Sequence, residues 1–224
     1  MLALYGHPFS SYTWKALIAL YENDTPFEFR EVGGDPANAE FVASAHPAGK
    51  FPVLTDGGVT VVETTAIIEY LAVHHPGPAG LIPIEPSLAA TARMLDQVFD
   101  NYVMGNMQRV VAAHFNDKDN PGAGGMREQP DAAEVAAGQR NLRRAYAWLE
   151  RWLEANLPPP HVSLVTCAAA PSLFYADWVE RIPESCPRLA ALRAELLALP
   201  AVSRCVEEAR PYRAYFPPGA PERD

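Results

Sequence analysis

The sequence has few cysteines, no long apolar run and no excess of positive charge. Only three cysteines occur in 224 residues, Cys167, Cys186 and Cys205. They are too far apart for a CxxC redox or zinc pair, and an odd number without a framework suits a reducing compartment. They read as small buried fillers. No apolar stretch is long enough to cross a bilayer. The opening Met1-Leu2-Ala3-Leu4-Tyr5 lacks the basic flank and longer apolar region of a signal peptide, and it reads as a strand. A cytoplasmic location is therefore expected. The net charge of −9 argues against nucleic acid as the main partner, because phosphate binding needs clustered Lys and Arg. No metal-ligand pattern such as HExxH is found.

What is present is a chain able to bury a core: 49% of residues are hydrophobic and 20% charged. Residues 1–5 suit a buried strand, and a loop with breakers and hydroxyls comes next, Gly6-His7-Pro8-Phe9-Ser10-Ser11. Trp14, Leu17, Ile18 and Tyr21 then mark one face of a helix. Phe27-Glu28-Phe29-Arg30 alternates like a strand. Residues 38–45 fit a short helix. Residues 51–55 and 59–62 fit a hairpin about Asp56-Gly57. Residues 65–74 fit a helix burying Ala66, Ile67, Tyr70 and Leu71. The order β-α-β-α-β-β-α predicts an α/β thioredoxin-like domain, with a parallel first pair of strands and an antiparallel second pair.

After a proline-rich linker, strand patterns disappear. A helical stripe runs over residues 87–115 through Ala92, Leu95, Val98, Phe99, Tyr102, Val103, Met107, Val110 and Val111. Asn116 to Pro130 reads as a loop. A helix opening at Asp131-Ala132-Ala133-Glu134 resembles a capping box and is ended by Pro158-Pro159-Pro160. Ser163 is placed to cap a third helix, 164–179, which is apolar nearly all round and so expected at the centre of a bundle. Two shorter helices come after it, at about 187–199 and 201–209. The organisation expected is an α/β thioredoxin-like domain over 1–76, a linker over 77–86, an all-α helical domain over 87–210 and an extended tail over 211–224.

Two stretches carry chemistry. In Phe51-Pro52-Val53-Leu54 a proline interrupts an apolar strand, where it cannot donate to a ladder. In Glu63-Thr64-Thr65-Ala66-Ile67 an acid and a hydroxyl stand where strand gives way to helix, a position that caps free N–H groups and attracts anionic ligand groups. Taken alone, Glu63-Thr64 is an ordinary cap. Ser10 and Ser11 likewise stand just before a helix.

Together these stretches resemble the glutathione-binding half of the cytosolic glutathione transferases, and the helical second half extends the likeness over nearly the whole chain. The family usually has Ser where this chain has Thr64, a swap that keeps the hydroxyl. It usually has Asp three residues after the central helix cap, where this chain has Thr166. The resemblance implies a serine-centred, bacterial-like member that binds glutathione as co-substrate, needs no metal and forms a homodimer. Glu63 and Thr64 would hold the γ-glutamyl end, the Phe51 backbone the cysteinyl part and Lys50 the glycyl carboxylate. Pro52 is expected to be cis.

The thiol must become a thiolate. A free thiol titrates at about 8.5, and a shift of about two pKa units needs about 2.7 kcal/mol of preferential stabilisation. One charge-assisted hydrogen bond and a helix N-terminus supply that order. In many serine-centred members of that family the hydroxyl lies four residues before a basic residue of the first helix, so the resemblance makes Ser11, four before Lys15, the first candidate donor. Ser10 is the second, because Ser10-Ser11-Tyr12-Thr13-Trp14-Lys15 is also similar to the zeta-like Ser-Ser-Cys run. Tyr12 stands where that Cys would be. The electrophile, a small hydrophobic molecule, would lie between the domains, with Tyr102, Met107, Phe115 and Trp178 as candidate lining residues. Competing readings are a non-catalytic glutathione-, hydrophobe- or partner-binding protein, and a glutathione-dependent isomerase, dehalogenase or peroxidase.

Overall fold

A computed structural model describes residues 1–117, 124–156 and 162–224. The N-terminal half contains β1 (Ala3–Gly6), α1 (Ser11–Glu22), β2 (Glu28–Glu31), α2 (Pro36–Ala45), β3 (Val53–Asp56), β4 (Val59–Val62) and α3 (Thr64–His74). The strands form one sheet in the order β2-β1-β3-β4. β1 pairs parallel with β2, and the other two pairings are antiparallel. This is the thioredoxin-like arrangement expected from the order of elements. The period-2 alternation of the strands divides the core. Leu2, Leu4 and Leu54 join the main cluster with α1 and α3, whereas Ala3, Tyr5 and Val53 pack with Val42 of α2.

Residues 75–85 carry no regular element. They are nonetheless tied down. The Ala79 N–H donates to Asn23 Oδ1 at 2.8 Å, and the Leu164 N–H donates to the Leu81 carbonyl, also at 2.8 Å. The helical half comes next: α4 (Pro86–Val98), a π-helical segment (Phe99–Met104), α5 (Gly105–Ala112), α6 (Ala132–Ala155), α7 (Leu164–Val179), α8 (Pro187–Leu197) and α9 (Pro200–Ala209). α7 is buried from Leu164 to Trp178 and packs against α1, so one hydrophobic cluster runs through both halves. Among the described residues no helix is long and apolar enough to cross a membrane.

Four expectations are corrected. The stripe over 87–115 is not one α-helix. The π-helical turn wraps more residues per turn than an α-helix, and it rotates α5 relative to α4. Tyr102, placed on the stripe by a 3.6 period, is 60% exposed as a result. Ser163 does occupy the cap position of α7, but its side chain makes no capping bond, and among the described residues its buried Oγ has no partner. Residues 211–224 are not an extended tail. A 3₁₀ helix spans Arg210–Tyr215 and the chain then folds back, because Phe216 has an aromatic surface to bury against. Finally, α2 begins at Pro36, two residues before the expected 38, because Asp35 caps the Ala37 N–H. The prolines expected to end α6, at 158–160, lie outside the described residues, as does part of the 116–130 loop.

Candidate functional site

The loop after β1 is held tightly over the start of α1. A Cβ at Gly6 would meet Thr13 Cγ2 at 2.6 Å, so only glycine lets the two segments close. Trp14 Nε1 donates to the Pro8 carbonyl at 2.7 Å, and the Thr13 N–H donates to Ser10 Oγ at 3.2 Å. Ser10 is thus the cap of α1 and is half-buried. Ser11 is the first helical residue and is only 3% exposed. Gln108 Nε2, from α5 of the other half, donates to Ser11 Oγ at 3.3 Å. Each hydroxyl oxygen already accepts an N–H, which leaves its own O–H to donate.

The Phe51–Pro52 peptide is cis, as expected. Glu63 precedes α3 with φ at 68°, in the region that favours glycine. A non-glycine residue there stores strain of about 1–3 kcal/mol, a feature that clusters at functional sites. The twist turns the Glu63 side chain outward, 76% exposed, where its Oε1 lies 3.2 Å from His46 Nε2. Thr64 is buried at the helix start.

These residues surround two adjoining cavities. One, of about 580 Å³, is lined by Lys50, Phe51, Glu63 and Thr64, together with Tyr12, His46 and Asp100. The other, of about 330 Å³, is lined by Ser10, Ser11, Met107, Gln108 and Phe115, and again by Phe51. All six sequence-derived site residues are therefore gathered at one place, with Phe51 as the shared wall. Of the candidate electrophile contacts, Met107 and Phe115 line the second cavity. Tyr102 does not, having been rotated to the outer face, and Trp178 lies buried behind the cavity's wall. Tyr5 is core, packed on Phe41 with Arg30 donating to its hydroxyl.

His46, Asp96 and Asp100 escaped the sequence reading. His46 closes α2, and its Nδ1 accepts from the Ala48 N–H, which aims Nε2 at Glu63. A histidine just ahead of the Pro47 break was the available signal. Lys15 and Asp96 are both fully buried. The Lys15 ammonium donates to Asp96 Oδ1 at 2.7 Å and to Asp100 Oδ2 at 2.6 Å, while the Thr65 hydroxyl donates to Asp96 Oδ2 at 2.6 Å. Burial raises the Asp100 carboxyl above its ordinary range. Lys15 opposes the shift, and the like charges of Asp96 and Glu63 add to it. Burial also pushes the Tyr12 phenol up to about 12, helped by the charges of Asp100 and Glu63. His7, on the wall of the second cavity, is lowered by burial against the pull of Glu31.

A cavity with three carboxylates, a lysine, and the start of α3 suits a zwitterionic, peptide-like ligand. A neighbouring apolar cavity with two hydroxyls suits a reacting group presented across Phe51. Among the described residues no cluster of three metal-ligating side chains exists.

Residues 4–79 match the family described as "Glutathione S-transferase, N-terminal domain". A "Glutathione S-transferase-like protein" of Aspergillus aculeatus is 32% identical over 158 residues, which is 67% of each chain. A "Probable maleylacetoacetate isomerase" of Vibrio cholerae is 28% identical over 229 residues, 94% of this chain and 97% of that one. The crystal structure of a glutathione S-transferase from Methylobacterium radiotolerans, in complex with glutathione sulfonate, superposes with a TM-score of 0.70 at 26% identity, covering 92% of this chain and 94% of that one.

Proposed function

Since this chain belongs to the glutathione S-transferase family, we propose that it is a glutathione transferase that attaches the glutathione sulfur to a small hydrophobic electrophile. The observation that carries the reading is the pair of cavities meeting at Phe51. In this reading Glu63 accepts the γ-glutamyl ammonium and Thr64 donates to the γ-glutamyl carboxylate through its hydroxyl and N–H. The Phe51 backbone pairs with the cysteinyl unit, and Lys50 reaches the glycyl carboxylate. The cysteinyl sulfur then points past Phe51 toward the Ser10–Ser11 hydroxyls and the positive end of α1. Both hydroxyl oxygens already accept an N–H, from Thr13 and Gln108, so both O–H groups are left to donate to the thiolate. Ser10 is the more exposed of the two. The thiolate attacks the electrophile, a new C–S bond forms, and the leaving group or the added electron pair departs into the cavity or is protonated there.

A second reading, glutathione-dependent isomerisation, is favoured by the isomerase-named relative that spans nearly the whole chain. The second cavity speaks for transfer instead. Apart from His7, Ser10, Ser11 and Gln108 its described lining is aromatic or apolar, and it includes no Lys or Arg, so a dicarboxylic acid would meet no permanent cation there. A cytoplasmic homodimer belongs to the same proposal. Exposed Met94, Tyr102 and Trp148 share a groove on the outer face of α4 and α6 where a partner would bury them.

The test is calorimetric titration with glutathione and ultraviolet difference spectra of the thiolate, on wild type, Ser10→Ala and Ser11→Ala. The expected result is binding by all three, with the thiolate band lost in at least one variant. Binding with no thiolate in wild type would leave a ligand holder rather than an enzyme. Counting free thiol during turnover separates the reactions, because transfer consumes glutathione and isomerisation returns it.

A further inference from the structure

Glu63 supplies the carboxylate for the γ-glutamyl ammonium in the reading above, yet by itself it is a poor receptor. Its side chain is 76% exposed, and a glutamate left free at such a place samples several rotamers that a ligand must freeze on binding. Two features of the fold remove that freedom. The backbone φ of 68° fixes the direction in which the side chain leaves the chain. At its tip, Oε1 lies 3.2 Å from Nε2 of His46, whose side chain is 7% exposed and lines the same cavity. Among the described residues this is the sole hydrogen bond of the Glu63 side chain, and it leaves Oε2 open.

The imidazole is held in its turn. The His46 N–H donates to the Val42 carbonyl at 3.0 Å, and the His46 carbonyl accepts from the Gly49 N–H at 2.9 Å. Nδ1 accepts from the Ala48 N–H at 3.0 Å. A ring nitrogen that accepts does not carry the ring hydrogen, so Nε2 bears it and donates it to Glu63. With Nδ1 used in this way, His46 offers Glu63 a donor that brings no positive charge. An Arg or Lys in its place would neutralise the carboxylate and compete with a cationic ligand group. The buried imidazole instead orients the carboxylate and leaves its charge for the ligand.

We propose that His46 is a positioning residue for glutathione: it holds the Glu63 carboxylate in the orientation that accepts the γ-glutamyl ammonium, and so sets the preference of the cavity for thiols bearing that ammonium. The inference rests on the transferase reading and goes past it by naming the residue through which Glu63 acts.

The experiment is calorimetric titration of wild type, His46→Phe, His46→Asn and His46→Gln with two ligands. One is glutathione and the other is glutaryl-cysteinylglycine, the same tripeptide without the α-amino group. The two amide variants divide the contacts of the ring. Gln reaches far enough to place a donor near the Nε2 position facing Glu63, whereas Asn places an acceptor near the Nδ1 position facing Ala48. The expected result is glutathione affinity lowered about tenfold by His46→Phe and His46→Asn, and less than about threefold by His46→Gln. The glutaryl analogue should bind wild type more weakly than glutathione does, and its affinity should change less than about twofold in every variant. Equal losses for both ligands, or rescue by Asn and not by Gln, would make His46 a mere support of its own turn and overturn the proposal. Unaltered glutathione affinity in His46→Phe, with wild type binding, would sink the inference alone. If wild type binds neither ligand, the transferase reading fails and takes the inference with it. An analogue too weak to measure leaves the contrast between Asn and Gln to decide. Thermal melts identify any variant that fails to fold, and the same contrast decides if His46→Phe is lost.

Discussion

The Lys15 ammonium lies 2.7 Å from Asp96 Oδ1, and both side chains are wholly out of water. This contact joins α1, whose first turn carries the serines, to α4 of the helical half. It also positions Asp100 and Thr65, which accept from or donate to the same cluster. A buried ion pair adds little net stability against apolar packing, but breaking it strands a charge.

Replacing Lys15 with Met should therefore cost about 3–5 kcal/mol, by leaving Asp96 and Asp100 facing one another without a cation. For a chain of this length each kcal/mol moves Tm by about 2–4 °C. Urea and thermal melts check this. A loss below about 1 kcal/mol would show that the pair is not buried as described.

Glu63 combines a strained backbone with a side chain in the first cavity. Glu63→Gly should raise stability by up to about 1 kcal/mol, the relief of strain being offset by the freer unfolded chain. It should also weaken glutathione binding by about tenfold or more, through loss of the carboxylate proposed to accept the γ-glutamyl ammonium. Melting and calorimetry on one preparation test the opposition, and a variant that loses both properties would contradict it.

Tyr12 lines the first cavity with its phenol pushed up to about 12. A folded-state value above the unfolded value of about 10 means that its contribution favours the fold below pH 10 and is lost as pH rises toward about 12. The stability gap between wild type and Tyr12→Phe should thus narrow or reverse across that window and stay constant between pH 6 and 9. The phenol stays neutral near pH 7, so Tyr12→Phe should leave the thiolate band in place. Loss of the band would make Tyr12 a sulfur contact and displace the serines.

Ser163 offers the opposite of a capping prediction. Its buried Oγ has no partner among the described residues, so Ser163→Ala should change stability by less than about 0.5 kcal/mol or raise it slightly, where loss of a working cap costs about 1 kcal/mol. Denaturant midpoints at constant m-value decide the matter.

The gathering of Lys50, Phe51, Glu63, Thr64, Ser10 and Ser11 was implied only by the family resemblance, while the order of elements and the strand pairing were legible in the amino-acid order alone. They arise from local patterns: a period of two in short strands, hydroxyls and acids at helix starts, and a proline where a ladder should run. Tertiary packing settled whatever depends on which surfaces meet. The π-helical turn at Phe99–Met104 carries no local signal, yet Tyr102 lies outside the second cavity and Met107 lines it. Nothing in the helices that carry Lys15 and Asp96 marks the two as a pair, and only the packing of α1 on the helical half brings them together without water. Residues 211–224, proline-rich and polar, fold back because Trp178 and Tyr175, more than thirty residues earlier in the chain, present the aromatic surface that Phe216 buries. Local propensity sets the elements, whereas burial of charge and of aromatic surface is a property of the faces that meet.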